Sequence, residues 1–210
     1  GVSYHRFEIT NHYREMNHYR FENPFVTNST IIVYYNSAYW LAKHNINKTT
    51  PGELGMWREL TDEWRPYTQY DGGEVMSYNG KRYRAKNNAA PGPPDASNPY
   101  GPWELLDDSV VTLIDITISP SSSNIKEGEK IVFSATAHFS DGSTEDVTNK
   151  VIWTSSYPQI ASMSGNVLTG IMDTGVEGCN STLVSATYSY KHPTRNDIKY
   201  KRVGVTEIKV

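Results

Sequence analysis

From about Ser109 onward, apolar and polar residues alternate along the chain. Ile114, Ile116 and Ile118 interleave with Asp115, Thr117 and Ser119, and Ile131, Phe133, Ala135, Ala137 and Phe139 interleave with mostly polar neighbours. Successive side chains of a strand point to opposite faces, so a period of two predicts strands with one face on a core. Asp141-Gly142, Ser164-Gly165-Asn166 and Gly175 punctuate further strands around Val151 to Trp153, Val167-Leu168, Leu183 to Tyr190 and Tyr200 to Val210. Short strands at this spacing predict a β-sandwich over 109–210, within the usual size of about 100 residues for such folds. Trp153 is expected in its core, and His138, on the polar phase of its strand, is expected in solvent.

Ahead of this region the pattern breaks into short β-prone runs separated by Asn36-Ser37, Pro51-Gly52, Asn79-Gly80 and Pro91-Gly92-Pro93-Pro94. Two of these stretches repeat. Ile32, Tyr35, Asn36, Trp40, Ala42, Lys43 and Asn45 recur 43 positions later as Val75, Tyr78, Asn79, Tyr83, Ala85, Lys86 and Asn88, and each copy closes on a tryptophan, Trp57 or Trp103. The repeats occupy 26–62 and 63–108, each predicted as a two- or three-stranded sheet with a long loop. Asn79-Gly80 suits a type I′ hairpin turn, which needs positive φ at both central residues, whereas Asn36-Ser37 is expected to turn more loosely. Residues 1–25 carry a doubled Asn-His-Tyr-Arg and no clean period, which predicts an extended arm. His5, His12 and His18 in that arm lack the short spacing or acidic and sulfur company of a metal site, and read as part of a polar, aromatic arm lying on another surface.

Composition narrows the function. Across 210 residues the net charge is −3, so the basic excess that a nucleic-acid backbone demands is missing, and no nucleic-acid partner is expected. Tyrosine and tryptophan, at 15 and 5, outnumber the 5 phenylalanines, favouring rings that pack on one side and stay wet on the other. The single Cys179 excludes an intrachain disulfide. No apolar run approaches the roughly 18 residues needed to span a bilayer, so membrane insertion is not expected. The start Gly-Val-Ser-Tyr-His-Arg does not read as a signal peptide, and the missing initiator methionine is consistent with processing that removed a leader.

Catalytic patterns are weak. The pairs Asp62-Glu63, Asp107-Asp108 and Glu145-Asp146 point to alternate sides of any strand and read as solvated loop charges. His138 or His192 can be set beside many serines on paper, but no strand-turn-helix elbow surrounds any of them. Neither a phosphate-cradling glycine loop nor Cys-x-x-Cys nor His-Glu-x-x-His occurs. Asp141 to Asp146 is the one acidic loop with calcium-like composition, although turn geometry already accounts for its Asp-Gly. The sequons at Asn28, Asn47 and Asn180 matter only in a eukaryotic secretory host. No catalytic, cofactor or metal site is expected.

The second repeat, with Trp64, Tyr70, Gly73, Val75, Tyr78, Gly80, Tyr83, Ala85, Lys86, Pro94 and Trp103, resembles the chitin- and cellulose-binding modules of chitinases and endoglucanases. The first repeat shares Tyr35, Trp40, Ala42, Lys43, Pro51 and Trp57. The resemblance implies that most of these residues form a small core and that exposed rings directly after the Ala-Lys pair grip sugar. Here those positions hold Asn87-Asn88 and His44-Asn45, which offer hydrogen bonds but no stacking platform. Tyr34, Tyr39, Tyr67, Tyr70 and Tyr100 remain as candidate glycan or docking aromatics.

The C-terminal stretch resembles bacterial immunoglobulin-like domains of the group-2 kind, found in intimin-type adhesins and phage virion proteins. Ile116-Thr-Ile-Ser-Pro120, Phe139-Ser-Asp-Gly-Ser-Thr-Glu-Asp-Val-Thr148, Val151-Ile-Trp-Thr-Ser-Ser156 and Val167-Leu-Thr-Gly170 carry the likeness. It implies a spacer or docking module without catalytic residues. Together these features predict an all-β, non-enzymatic virion surface protein: a bacteriophage capsid decoration, head-fibre or tail-associated component. Its expected partners are capsid or other virion proteins, copies of itself and surface glycans. The alternative is a carbohydrate-binding accessory region of a secreted glycoside hydrolase or a bacterial adhesin, located outside the cell or on its surface.

Overall fold

The computed structural model describes residues 32–42, 51–52, 57–87, 92–172 and 181–210. Within them the chain is all-β. The expected arm over 1–25, its three histidines, His44-Asn45, Asn88, Gly175, Cys179 and the three sequons lie outside the described residues.

The repeat is structural as well as sequential. β1 (Ile32–Tyr35), β2 (Ala38–Ala42) and β3 (Trp57–Glu59) form one three-stranded sheet, and β4 (Val75–Tyr78), β5 (Lys81–Ala85) and β6 (Trp103–Leu105) form another. Both are antiparallel with matching register: Val33 faces Trp40 as Met76 faces Tyr83, and Ala42 faces Trp57 as Ala85 faces Trp103. Their cores are tiny and aromatic. The first holds Val33, Trp40 and Trp57; the second holds Tyr70, Met76, Tyr83, Ala85 and Trp103. Units this small need support from neighbours.

Both hairpins turn in the same way. Asn36 and Ser37 have φ of 49° and 62°, and Asn79 and Gly80 have 50° and 74°. The expectation of a looser first turn is therefore corrected: matching strand registers impose the left-handed pair on Asn36-Ser37 although serine carries a Cβ.

The C-terminal region continues with β7 (Leu113–Ser119), β8 (Ser122–Asn124), β9 (Lys130–Val132), β10 (Ser134–Phe139) and β11 (Thr144–Asp146). It ends with β12 (Ile152–Ser155), β13 (Ala161–Ser164), β14 (Val167–Gly170), β15 (Ser181–Lys191) and β16 (Lys199–Lys209). Three sheets, ordered β11-β10-β7, β12-β15-β16-β8 and β13-β14-β9, enclose one core that includes Leu113, Ile116, Phe133, Ala137, Val184 and Ile208. The layered arrangement is sandwich-like. β16 crosses β7 so closely that a Cβ on Gly204 would lie 2.5 Å from the Ile116 carbonyl oxygen, which leaves room there for glycine alone.

Two details differ from the simple alternation. The run from Ile131 to Phe139 is two strands, since β9 pairs with β14 and β10 with β7, and the chain changes sheets at Phe133. Phe133 stacks on Trp153 at 5.9 Å, and Trp153 sits half-buried at the core margin with its ring N–H donating to the Thr148 carbonyl. In β7, Asp115 pairs with His138 and Leu113 with Phe139, so Ile114 is an extra residue. This bulge shifts the phase: Leu113 is fully buried while Ile114 is only partly so.

The exposed Ser37 turn is a site of local strain. Ser37→Gly is expected to stabilise the protein by up to about 1 kcal/mol, because relief of about 1–2 kcal/mol of left-handed strain exceeds the entropy that glycine adds to the unfolded chain. Gly80→Ala is expected to cost about 1 kcal/mol. Urea denaturation of both variants checks the pair of signs.

Candidate functional site

The five candidate aromatics occupy four different environments. Tyr70 is 1% exposed, its hydroxyl accepts from the Arg65 N–H, and its ring meets Trp103 edge-on, so it is a core residue and no part of an exposed platform. Tyr67 packs on Trp40 at 5.5 Å and donates to Glu59 at 2.6 Å, tying the second unit to the first. Burial and this bond push its hydroxyl pKa up to about 12. Tyr34 and Tyr39 are cross-strand partners, half-buried, with ring centroids 5.1 Å apart. Only Tyr100, 97% exposed, presents a whole ring to solvent.

Tyr100 stands on a braced turn. Asn98 accepts from the Tyr100 N–H through its side chain and from the Gly101 N–H through its backbone, and Lys86 donates to the Pro99 carbonyl. Trp103 anchors the same loop by donating to the Gly92 carbonyl. Asn87, directly after the Ala-Lys pair, is exposed and brings no ring beside Tyr100.

The most highly organised chemistry lies elsewhere, where the second sheet meets the C-terminal region. Arg202 on β16 is 7% exposed. Its Nε donates to the Ile114 carbonyl at 2.9 Å, and its Nη2 donates to the Val75 carbonyl at 2.6 Å and to Asp62 Oδ1 at 3.1 Å. The guanidinium also covers the Tyr200 ring at 4.6 Å. Asp62 takes a second, bidentate pair from Arg82 at 2.9 and 3.0 Å, while Arg82 Nε donates to Thr112. Asp62 is thus held between two guanidiniums, which corrects the expectation of a solvated loop charge. Asp107, Asp108 and Asp146 do stay exposed, and Glu145 pairs with Lys150 at the surface.

A second ionic cluster clamps the turn between β15 and β16. Arg84 bonds Glu104 at 2.6 Å and Asp197 at 3.2 Å, and Arg195 reaches Glu104 at 3.1 Å and Asp197 at 2.7 Å. Gly73 approaches the same turn so closely that a Cβ would lie 3.0 Å from the Asp197 carbonyl oxygen, and the Lys199 N–H donates to the Gly73 carbonyl. Hydrogen bonds from Arg195 hold the Asp197 carboxyl at about 2. Partial burial alone would raise Glu104, but hydrogen bonds from Arg84 and Arg195 outweigh it and keep that carboxyl below its usual range. On the other side of the second unit, Arg58 of β3 pairs with Glu74 at 2.8 Å and lies over the Tyr70 ring.

Sequence reasoning missed Arg202, Arg195, Arg84 and Glu104. One signal for Arg202 is present: Tyr200, Arg202, Gly204, Thr206 and Ile208 share the inward phase of β16, and an arginine there requires buried acceptors. His138 bonds Thr117 at 2.8 Å, and the Nδ1 of His192 accepts backbone N–H groups, so neither histidine is poised against a serine. The Asp141 side chain closes its own turn on Ser143. Among the described residues no group of three or more His, Cys, Asp or Glu side chains is placed to hold a metal ion. No helix among them is long and apolar enough to cross a membrane.

No protein-family model matches the sequence, and no curated protein is significantly similar to it.

Arg202→Ala is expected to cost about 3–5 kcal/mol, since it leaves the Ile114 and Val75 carbonyls without this donor and frees one side of Asp62. Combining it with Asp62→Asn should cost less than the sum of the two, as guanidinium denaturation will report. Asp197 and Glu104 are both depressed in the folded state, so their stabilisation is present above pH 4.5 and is lost as pH falls toward about 2. The Asp197→Asn, Glu104→Gln double variant should flatten that part of the stability-versus-pH curve measured by urea titration.

Proposed function

We propose that this chain is a non-enzymatic virion surface protein, a bacteriophage capsid decoration, head-fibre or tail-associated component. Its N-terminal part docks on the particle, and its C-terminal immunoglobulin-like sandwich is held outward. The observation that supports this most directly is the junction itself. Units joined within a chain move relative to one another unless the interface is large or specifically locked. Here Arg202 and the Arg84, Glu104, Arg195, Asp197 cluster lock the second carbohydrate-module-like unit to the sandwich at one angle. Such stiffness suits a projecting element that must keep its orientation.

A second reading, the carbohydrate-binding region of a secreted hydrolase or adhesin, is favoured by Tyr100. A whole tyrosine face on a braced turn fits the apolar face of a pyranose. One ring gives little affinity by itself, which makes sugar binding the weaker reading.

An antibody against the chain, applied to density-purified virus particles from the source culture and viewed by immunogold microscopy, separates the two. Surface labelling together with no hydrolysis of glycoside substrates is the expected result. Unlabelled particles, with retention of the protein on chitin or cellulose that Tyr100→Ala abolishes, would overturn the virion assignment.

A further inference from the structure

The β15–β16 turn that carries the second clamp is built around one imidazole. His192 is 8% exposed, and its Nδ1 accepts from the backbone N–H of Thr194 at 3.2 Å and of Arg195 at 3.1 Å. The His192 N–H donates to the Ile198 carbonyl and the Ile198 N–H to the Arg195 carbonyl, closing the turn. The edge of Tyr190 packs against the ring at 6.4 Å, and the Val111 backbone hydrogen-bonds to it. Two donors converging on Nδ1 require its lone pair, so the imidazole is neutral in this arrangement.

Protonation at Nδ1 would set an N–H against two backbone N–H groups, leaving the Thr194 hydroxyl at 3.4 Å as its acceptor in this turn, and would place a new cation beside Arg195. The charged groups around it come from both sides of the junction. Arg195 and Asp197 belong to its own turn, and Arg84 of β5 and Glu104 of β6 hold those two from the second sheet. The Val111 backbone bond and the Asp197 charge favour the imidazolium, but both Asp197 oxygens are already taken by Arg195, and together these only partly offset burial and the Arg195 charge. Burial first, and the Arg195 charge second, lower the His192 pKa below its ordinary 6.5.

We propose that His192 is a pH-sensitive latch: neutral, it orders the turn that clamps the second sheet; protonated, it lets that clamp open while Arg202 remains as the pivot. The closed form binds the proton less readily than the open form, so by linkage the latch is fully closed above about pH 6.5 and the open fraction grows as pH falls below it. While His192 in the closed form remains neutral, the open-to-closed ratio grows by up to about tenfold per pH unit. This range lies above the one in which Asp197 and Glu104 titrate, which keeps the two effects apart.

Amide exchange and imidazole titration by NMR on the isotope-labelled full chain, from pH 7.5 to 5, test the latch. The expected result is a His192 pKa below 6.5, with protection at Arg195 and Lys199 falling in step, after correction for intrinsic exchange, while Ala137 in the core stays protected. In His192→Asn the amide oxygen takes the place of Nδ1 and accepts the same N–H groups without titrating, so protection should stay flat. Constant protection in the wild-type chain, a His192 pKa at or above 6.5, or an equal loss in His192→Asn each overturns the proposal. If His192→Asn fails to fold, the wild-type titration and exchange decide alone.

Discussion

A buried guanidinium has to find an acceptor for nearly every N–H it carries, because an unpaired charge away from water costs several kcal/mol. Arg202 places its Nε and Nη2 donors on groups from three separate parts of the chain: the Ile114 carbonyl in the bulge of β7, the Val75 carbonyl at the start of β4, and Asp62 ahead of the second unit. Each partner is therefore fixed relative to the others. The bulge matters here, since an extra residue in β7 breaks its regular pairing with β10 at Ile114 and leaves that carbonyl to be used from another direction.

The dependence runs both ways. Among the described residues, neither three-stranded sheet encloses more than a handful of buried side chains, and a single cysteine offers no staple. Val75 and Leu106 instead join the core of the C-terminal region, so the second unit borrows apolar packing from its neighbour. The first unit leans on the second through Trp40 and Tyr67, and through Arg58 and Glu74. Aromatic rings that look available for ligands are largely spent on this mutual support. Tyr70 is buried edge-on to Trp103 and Tyr67 packs on Trp40, which leaves Tyr100 as the one free ring of the five.

That allocation bears on function. For the display role proposed above, a fixed angle matters more than a deep pocket, and the ionic contacts supply direction where small apolar cores supply little. The two ionic clusters have different exposures and so different roles. The Arg202 site is buried and shielded from solvent, while the Arg195 and Asp197 cluster lies nearer the surface and rests on the His192 turn. A junction made this way has one permanent contact and one conditional contact.

The all-β class, the repeat with its closing tryptophans and the strands of the C-terminal region were legible in the sequence, because period-two alternation and Asn-Gly turns are local consequences of strand geometry. Matching turns at Asn36-Ser37 and Asn79-Gly80 also follow from the repeat, although serine masked the first. The fates of Asp62, Ile114 and Tyr70 were decided only by tertiary structure. Each depends on a partner distant in the chain, as when Asp62 meets Arg202 across 140 positions, and no local pattern encodes which acid or ring will be covered. Composition and periodicity determine what can be buried; the packing of one sheet on another determines which polar groups must go in with it, and with whom they pair.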